Sequence, residues 1–410
     1  MTPRPRRSTA LALAGATLAG ATAAAVLAVP AEAGRDRWDR DTPAQSARLL
    51  ERHVLPAATF GERVPSGTLI ASANGVAVPF EAQPVQGFSG NLVQPDGTWL
   101  VLSDNGYGAK ANSADFLLAV HRLRPAEDGS VAVVPGGFTL SDPDGRVPWP
   151  LTRADRRLTG ADFDPESFRR APDGTFWFGE EFGPYLLHTD ASGRLLEAPV
   201  PLPGVASPDN PTLGDAEPNL AGSKGFEGMA ISRDGRYLFP MLEGPVAGDD
   251  PQDLRVLRYD TQQHRYRGQA FTYRLESPRN AIGDFTRVDD HRYLVLERDN
   301  GQGPTAVFKA VFLLDTSRTD AAGHPLKTQL VNLMAVPDPD GVAAELSAAS
   351  GYVTFPFQTI ESVDVAGEHS IVVGNDNNFP FSAGRTPGVP DDDEFLTIEV
   401  QADLRPSRGR

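Results

Sequence analysis

The stretch DPESFRRAPDGTFWFGEE, from Asp164 to Glu181, decides the fold. A β-like segment, Asp164-Pro165-Glu166-Ser167-Phe168, leads to Asp173-Gly174, and Thr175-Phe176-Trp177-Phe178 follows as a second run. Asp-Gly supplies the positive φ values of a tight hairpin, so the stretch predicts two antiparallel strands. The frame recurs before and after it. Gly87-Phe88-Ser89-Gly90-Asn91 precedes Asp96-Gly97 and Thr98–Leu102, and Gly225-Phe226-Glu227-Gly228-Met229 precedes Asp234-Gly235 and Arg236–Phe239. Two more copies lack Asp-Gly: Gly283-Asp284-Phe285 leads to Tyr293–Leu296, and Ile360-Glu361-Ser362-Val363 leads to Ile371–Val373.

With Ser89, Glu166, Glu227, Asp284 and Glu361 as anchors, the modules recur after 77, 61, 57 and 77 residues. Third strands are expected at Phe116–Leu123, Leu254–Tyr259, Val307–Leu314 and Phe395–Val400. Strand–turn–strand–strand repeats of this length predict an all-β protein, a β-propeller with five visible modules and five or six blades. A β-sandwich would not account for five copies of one frame. Residues 51–86 are expected to supply the outermost strand of the last blade, or to hide an irregular sixth blade. Asp142–Gly160 and the Ala-rich Pro337–Ser350, a candidate short helix, read as insertions.

The anchors carry a second regularity. Asp104, Glu181, Asp299 and Asp376 each follow their anchor by 15 residues, and Glu243 follows Glu227 by 16. An anchor opening the first strand and an acid closing its antiparallel partner share one edge of the sheet. First strands of propeller blades line the central channel, so both sets converge on one mouth. Nine carboxylates are therefore candidate metal ligands: Asp104, Glu166, Glu181, Glu227, Glu243, Asp284, Asp299, Glu361 and Asp376. Crowded carboxylates resist ionising together unless a cation joins them. An all-oxygen set favours a hard cation, Ca2+ before zinc. Lys224, Arg298 and Lys110 lie beside these acids and are expected to bind an anionic substrate.

Composition narrows the alternatives. Hydrophobic residues make up 40% and charged residues 22%, enough apolar material for a core. The 38 Lys+Arg against 54 Asp+Glu give a net charge of -16, which disfavours nucleic-acid binding. Cysteine is absent, excluding disulfides, thiolate metal sites and thiol nucleophiles. Gly87–Asn91 falls short of a nucleophile elbow because Asn91 replaces the final glycine, so Ser89 reads as a polar channel residue. Of the scattered histidines, His188 alone falls near an expected blade edge. At the N-terminus, Arg4, Arg6 and Arg7 precede an uncharged stretch from Thr9 to Val29, then Ala31-Glu32-Ala33. This is the three-part pattern of a cleavable signal peptide over 1–33, with Sec and twin-arginine export both open. Residues 34–50 are expected to be a linker, 51–405 the propeller and 406–410 a tail. The product is expected to be an exported monomer without a stable membrane span.

At these residues the sequence resembles the secreted phytase-like family, whose members are often described as having esterase-like activity. The resemblance rests on Gly87–Gly90, Ser103-Asp104-Asn105-Gly106, Asp142-Pro143-Asp144-Gly145 leading into Asp164–Ser167, Gly179–Tyr185, Gly225–Gly228 and Glu297-Arg298-Asp299. It runs from about Gly87 to Val400. The family is similar to the calcium-dependent propeller phytases, which implies a metal-assisted phosphomonoesterase acting on a small anionic ester. On that reading Glu227, Asp299 and Glu181 are the catalytic candidates, and Lys224, Arg298 and Lys110 the substrate-binding ones. A calcium-dependent lactonase or carboxylesterase, and a non-catalytic binding propeller, remain alternatives.

Overall fold

The computed structural model describes residues 47–405, so the expected signal peptide, the start of the linker and the tail lie outside the described residues. Five four-stranded antiparallel sheets follow one another along the chain. Blade 1 holds β2 (Phe88–Val93), β3 (Trp99–Ser103), β4 (Ala119–Pro125) and β5 (Val131–Thr139). Blade 2 holds β6 (Pro165–Arg170), β7 (Phe176–Glu180), β8 (Tyr185–Thr189) and the short β9 (Val200–Pro201). Blade 3 holds β10 (Phe226–Ile231), β11 (Tyr237–Leu242), β12 (Asp253–Asp260) and β13 (Arg265–Arg274). Blade 4 holds β14 (Ala281–Arg287), β15 (Arg292–Arg298), β16 (Lys309–Thr319) and β17 (Pro325–Asn332). The insertion after it forms a two-stranded ribbon, β18 (Val336–Pro337) with β19 (Tyr352–Val353), around the one-turn helix α1 (Ala344–Ser347).

Blade 5 is built from both ends of the described chain. Its order is β1 (Arg48–Leu55), β22 (Asp393–Glu399), β21 (Ser370–Asp376) and β20 (Thr359–Gly367), so β1 is the outermost strand and closes the ring. Arg48–Leu50, read from sequence as linker, belong to this strand. The innermost strands β2, β6, β10, β14 and β20 touch in a closed circuit, which makes five blades. Residues 56–87 add isolated bridges, Phe60 to Pro84 and Ser66 to Phe80, and form no sixth blade.

Alternation along the strands explains why the ring holds. Leu100 and Leu102 pack with Phe168, Phe176 and Phe178 of blade 2, whereas Val101 between them packs with Val372 and Phe395 of blade 5. Trp177, between Phe176 and Phe178, turns to Phe226, Met229 and Leu238 of blade 3. A strand buried on both faces reads as a continuous apolar run, and each seam between blades gains one apolar cluster. Together these seams fix the blades, and thereby the five inner strands, around the channel.

Candidate metal centre at the channel mouth

Each innermost strand is bulged where it begins. In β6 Pro165 faces Glu180 and Ser167 faces Gly179, so Glu166 is left without a partner. Glu227 is skipped in the same way between Phe226 and Gly228, and Glu361 between Ile360 and Ser362. In β2 the irregularity covers Ser89 and Gly90. A bulge adds an unpaired residue and re-aims its side chain, and here it does so at one end of every channel strand. The acids that close the second strands, Asp104, Glu181, Glu243 and Asp376, arrive at that same end.

Two overlapping carboxylate groups result. Asp164, Glu166 and Glu181 each place an oxygen within 4.8 Å of the others, and Glu181, Glu227 and Glu243 do the same. Separations of that size allow one metal ion to touch all three oxygens of either group. All of these side chains are buried, as are Asp104, Glu361 and Asp376. Burial, followed by neighbouring carboxylates, pushes Asp104, Glu166, Glu181 and Glu227 well above the usual carboxylate range. Burial and Glu361 raise Asp376 to about 8. Such a set holds protons or a cation, because its members cannot all ionise side by side.

Some positions are already committed. Arg298 Nη2 lies 2.7 Å from Glu361 Oε1, 3.4 Å from Glu243 Oε1 and 3.6 Å from Glu227 Oε1. Lys224 Nζ pairs with the other oxygen of Glu243. Gly225 N donates to Glu181 Oε1 at 2.9 Å, and Ser89 Oγ lies 3.3 Å from Glu361 Oε2. Asn105 Nδ2 donates to Asp164 Oδ2 at 2.7 Å. Glu227 Oε1 is buried and accepts no hydrogen bond.

The structure corrects blade 4. Its bulge falls on Gly283, between Ile282 and Asp284, so Gly283 is the counterpart of Glu166 and Arg298 the counterpart of Glu181. The spacing of 15 is met one residue earlier than the sequence suggested. A side chain at Gly283 would place its Cβ 2.0 Å from the Ile360 carbonyl oxygen of the adjacent inner strand, so this anchor position must be bare. Asp284 is therefore no part of either carboxylate group. Its Oδ1 accepts from Arg169 Nη2 at 2.8 Å and from its neighbour Phe285 N, and its Oδ2 accepts from Val363 N at 3.0 Å. Asp299 likewise stands outside both carboxylate groups. Its Oδ2 accepts from Val307 N and Phe308 N, and its Oδ1 faces Lys309 Nζ at 2.9 Å.

Of the expected substrate-binding cations, Arg298 is tied into the acid cluster, whereas Lys224 keeps a side chain 32% exposed. Lys110 lies further out, donating to the Asp209 carbonyl and standing over the Phe182 ring. Sequence reasoning missed Asp164 and Lys309. Asp164 precedes the anchor Glu166 by two residues, immediately before β6 opens at Pro165, and a second acid that close to the anchor was the available signal. Lys309 is fully buried, and burial lowers its ammonium to about 8. Its contacts cross from β16 to the Asp299 and Gln358 carbonyls, and no local pattern announces them.

A family model described as "Phytase-like: Esterase-like activity of phytase" matches residues 83–379. An uncharacterized secreted protein of Arthroderma benhamiae is 26% identical over 183 residues, 35% of this chain and 36% of that protein. The chain thus spans little more than a third of that relative's length. Among solved structures, a Lactobacillus plantarum protein is 15% identical, with 79% of this chain and 76% of that one covered and a TM-score of 0.35. The exo-β-1,3-galactanase of Phanerochaete chrysosporium is 8% identical, with 85% and 64% covered and a TM-score of 0.43. Among the described residues, no helix is long and apolar enough to cross a membrane.

Proposed function

The chain belongs to the phytase-like family, and from that premise we propose that it is an exported hydrolase of phosphate esters that works with calcium at the channel mouth. The observation that carries this reading is the pair of buried carboxylate groups sharing Glu181. The donor set fits the ion: every candidate ligand is a carboxylate oxygen, and Glu227 Oε1 is buried without a hydrogen bond. Asp104, Asp164, Glu166, Glu181, Glu227, Glu243, Glu361 and Asp376 are eight carboxylates beside Arg298 and Lys224, a surplus of negative charge that a divalent cation would offset. Bound there, calcium would polarise a phosphoryl oxygen and acidify a water molecule.

The protein's own groups supply the rest. Lys224, the partly exposed cation of the site, draws a phosphate group to the mouth and orients it. Glu227 Oε1, buried without a hydrogen bond and 3.6 Å from the Arg298 guanidinium, accepts the proton of the attacking water. The P–O bond to the alcohol breaks as the water oxygen bonds to phosphorus, and that proton leaves with the alcohol. The acidic remainder of the surface disfavours polyanions, which suits small esters better than nucleic acids. Export rests on the signal-like N-terminus and on the relative described as secreted.

The test is an assay of the calcium-loaded mature protein on phosphomonoesters, lactones and aryl carboxylesters, with and without chelator. Calcium-dependent turnover of phosphomonoesters is expected. Turnover of lactones or aryl esters alone would transfer the same centre to a carboxylic-ester hydrolase. Calcium binding with no turnover of any ester would make the propeller a binding module.

A further inference from the structure

The two carboxylate groups differ in what already faces them. In the first, Asp164 meets the neutral Asn105 and is grouped with two further carboxylates, Glu166 and Glu181. In the second, Glu243 faces Arg298 with one oxygen and Lys224 with the other, and Glu227 stands 3.6 Å from Arg298. One guanidinium nitrogen thus lies within 3.6 Å of three carboxylates drawn from blades 3 and 5. That is the environment of a bound cation.

The register shows where this charge comes from. In blades 1, 2, 3 and 5 the residue that closes the second strand opposite the bulge is Asp104, Glu181, Glu243 or Asp376. In blade 4 the same position is Arg298, and the anchor is Gly283. The blade that offers no carboxylate offers a cation instead, directed at the acids of its neighbours.

We propose that Arg298, together with Lys224, takes the place of a second metal ion, so that the centre binds one calcium per chain, at Asp164, Glu166 and Glu181. This rests on the reading of the mouth as a calcium site. An internal guanidinium at the second position fixes Glu227, Glu243 and Glu361 without metal, and Glu181 then connects the fixed half to the half that takes the ion. A planar, permanently charged group suits this task because it cannot be titrated away or removed by a chelator.

Isothermal titration of the chelator-stripped mature protein with calcium chloride reads the stoichiometry directly. The wild type should take one ion per chain, and Lys224→Met and Arg298→Met should each take two. Lys224→Met keeps the test decisive if Arg298→Met fails to fold, since the Lys224 side chain is one third exposed. Two ions in the wild type would overturn the inference and leave the calcium reading standing. One ion in a folded Lys224→Met, confirmed by its circular dichroism, would also overturn it. No calcium binding at all would remove the calcium reading itself, an outcome distinct from either.

Discussion

Glu227 and Asp284 look equivalent in sequence, yet their environments differ, and substitution should separate them. Glu227→Gln removes a carboxylate whose Oε1 has no hydrogen bond. Ester hydrolysis should fall at least 100-fold with the fold retained, read by steady-state assay beside circular dichroism. Asp284→Ala leaves Arg169 buried without its counter-charge, since both side chains are at most 4% exposed. Its expected effect is a loss of about 3–5 kcal/mol in stability, measured by denaturant unfolding. If Asp284→Ala folds normally but loses calcium, the blade 4 register assigned here is wrong. The sequence reading placed Asp284 and Asp299 one residue beyond their structural counterparts. Spacing counts residues, whereas a bulge decides which residue turns inward, and Gly283 with Arg298 satisfies the same spacing of 15.

At the scale of the element, the closing strand β1 carries a separate prediction. Arg52 on β1 donates to Glu394 Oε2 at 2.8 Å, and Arg385 holds the same carboxylate from the other side. Arg52→Ala should lower stability by about 1.5–3 kcal/mol, the range for charge-assisted hydrogen bonds, and the denaturation midpoint reports it. Blade 1 adds a pH dependence through His121 on β4, beside Phe88 of β2. Burial holds its imidazole down to about 4, below the ordinary 6.5. The neutral form is favoured by folding, so its contribution is complete above about pH 6.5 and lost as the pH falls towards 4. Melting curves of wild type and His121→Leu should therefore diverge on the acid side by no more than about 3 kcal/mol, and parallel curves would exclude this histidine. The blades were legible because apolar alternation and Asp-Gly turns are local. The pairing of Glu394 with Arg52 was not, because the two lie 342 residues apart and meet only when the ring closes.

For the whole molecule, the five-fold repetition of one frame was enough to give the propeller, and the lack of a sixth frame in residues 56–87 agrees with five blades. The centre was legible in outline for the same reason, since repetition brings equivalent positions to one axis. The charge balance within it was not legible, because Arg298 differs from its counterparts only after the strands are paired. Much of the net charge of -16 lies on the surface, but the buried portion has a consequence for stability. Without a cation, these carboxylates repel one another or take up protons, so calcium should displace protons and bind more tightly as the pH rises. A ligand present at 1,000 times its dissociation constant stabilises the native state by about 4 kcal/mol, some 5 °C for a chain of this size. The most direct measurement is the melting temperature of the mature protein at pH 7.5 in chelator and in millimolar calcium, with Glu181→Gln alongside. A rise of several degrees in the wild type, largely lost in Glu181→Gln, is the result expected of a calcium centre built on Glu181. The same melting temperature in chelator and in calcium would contradict it.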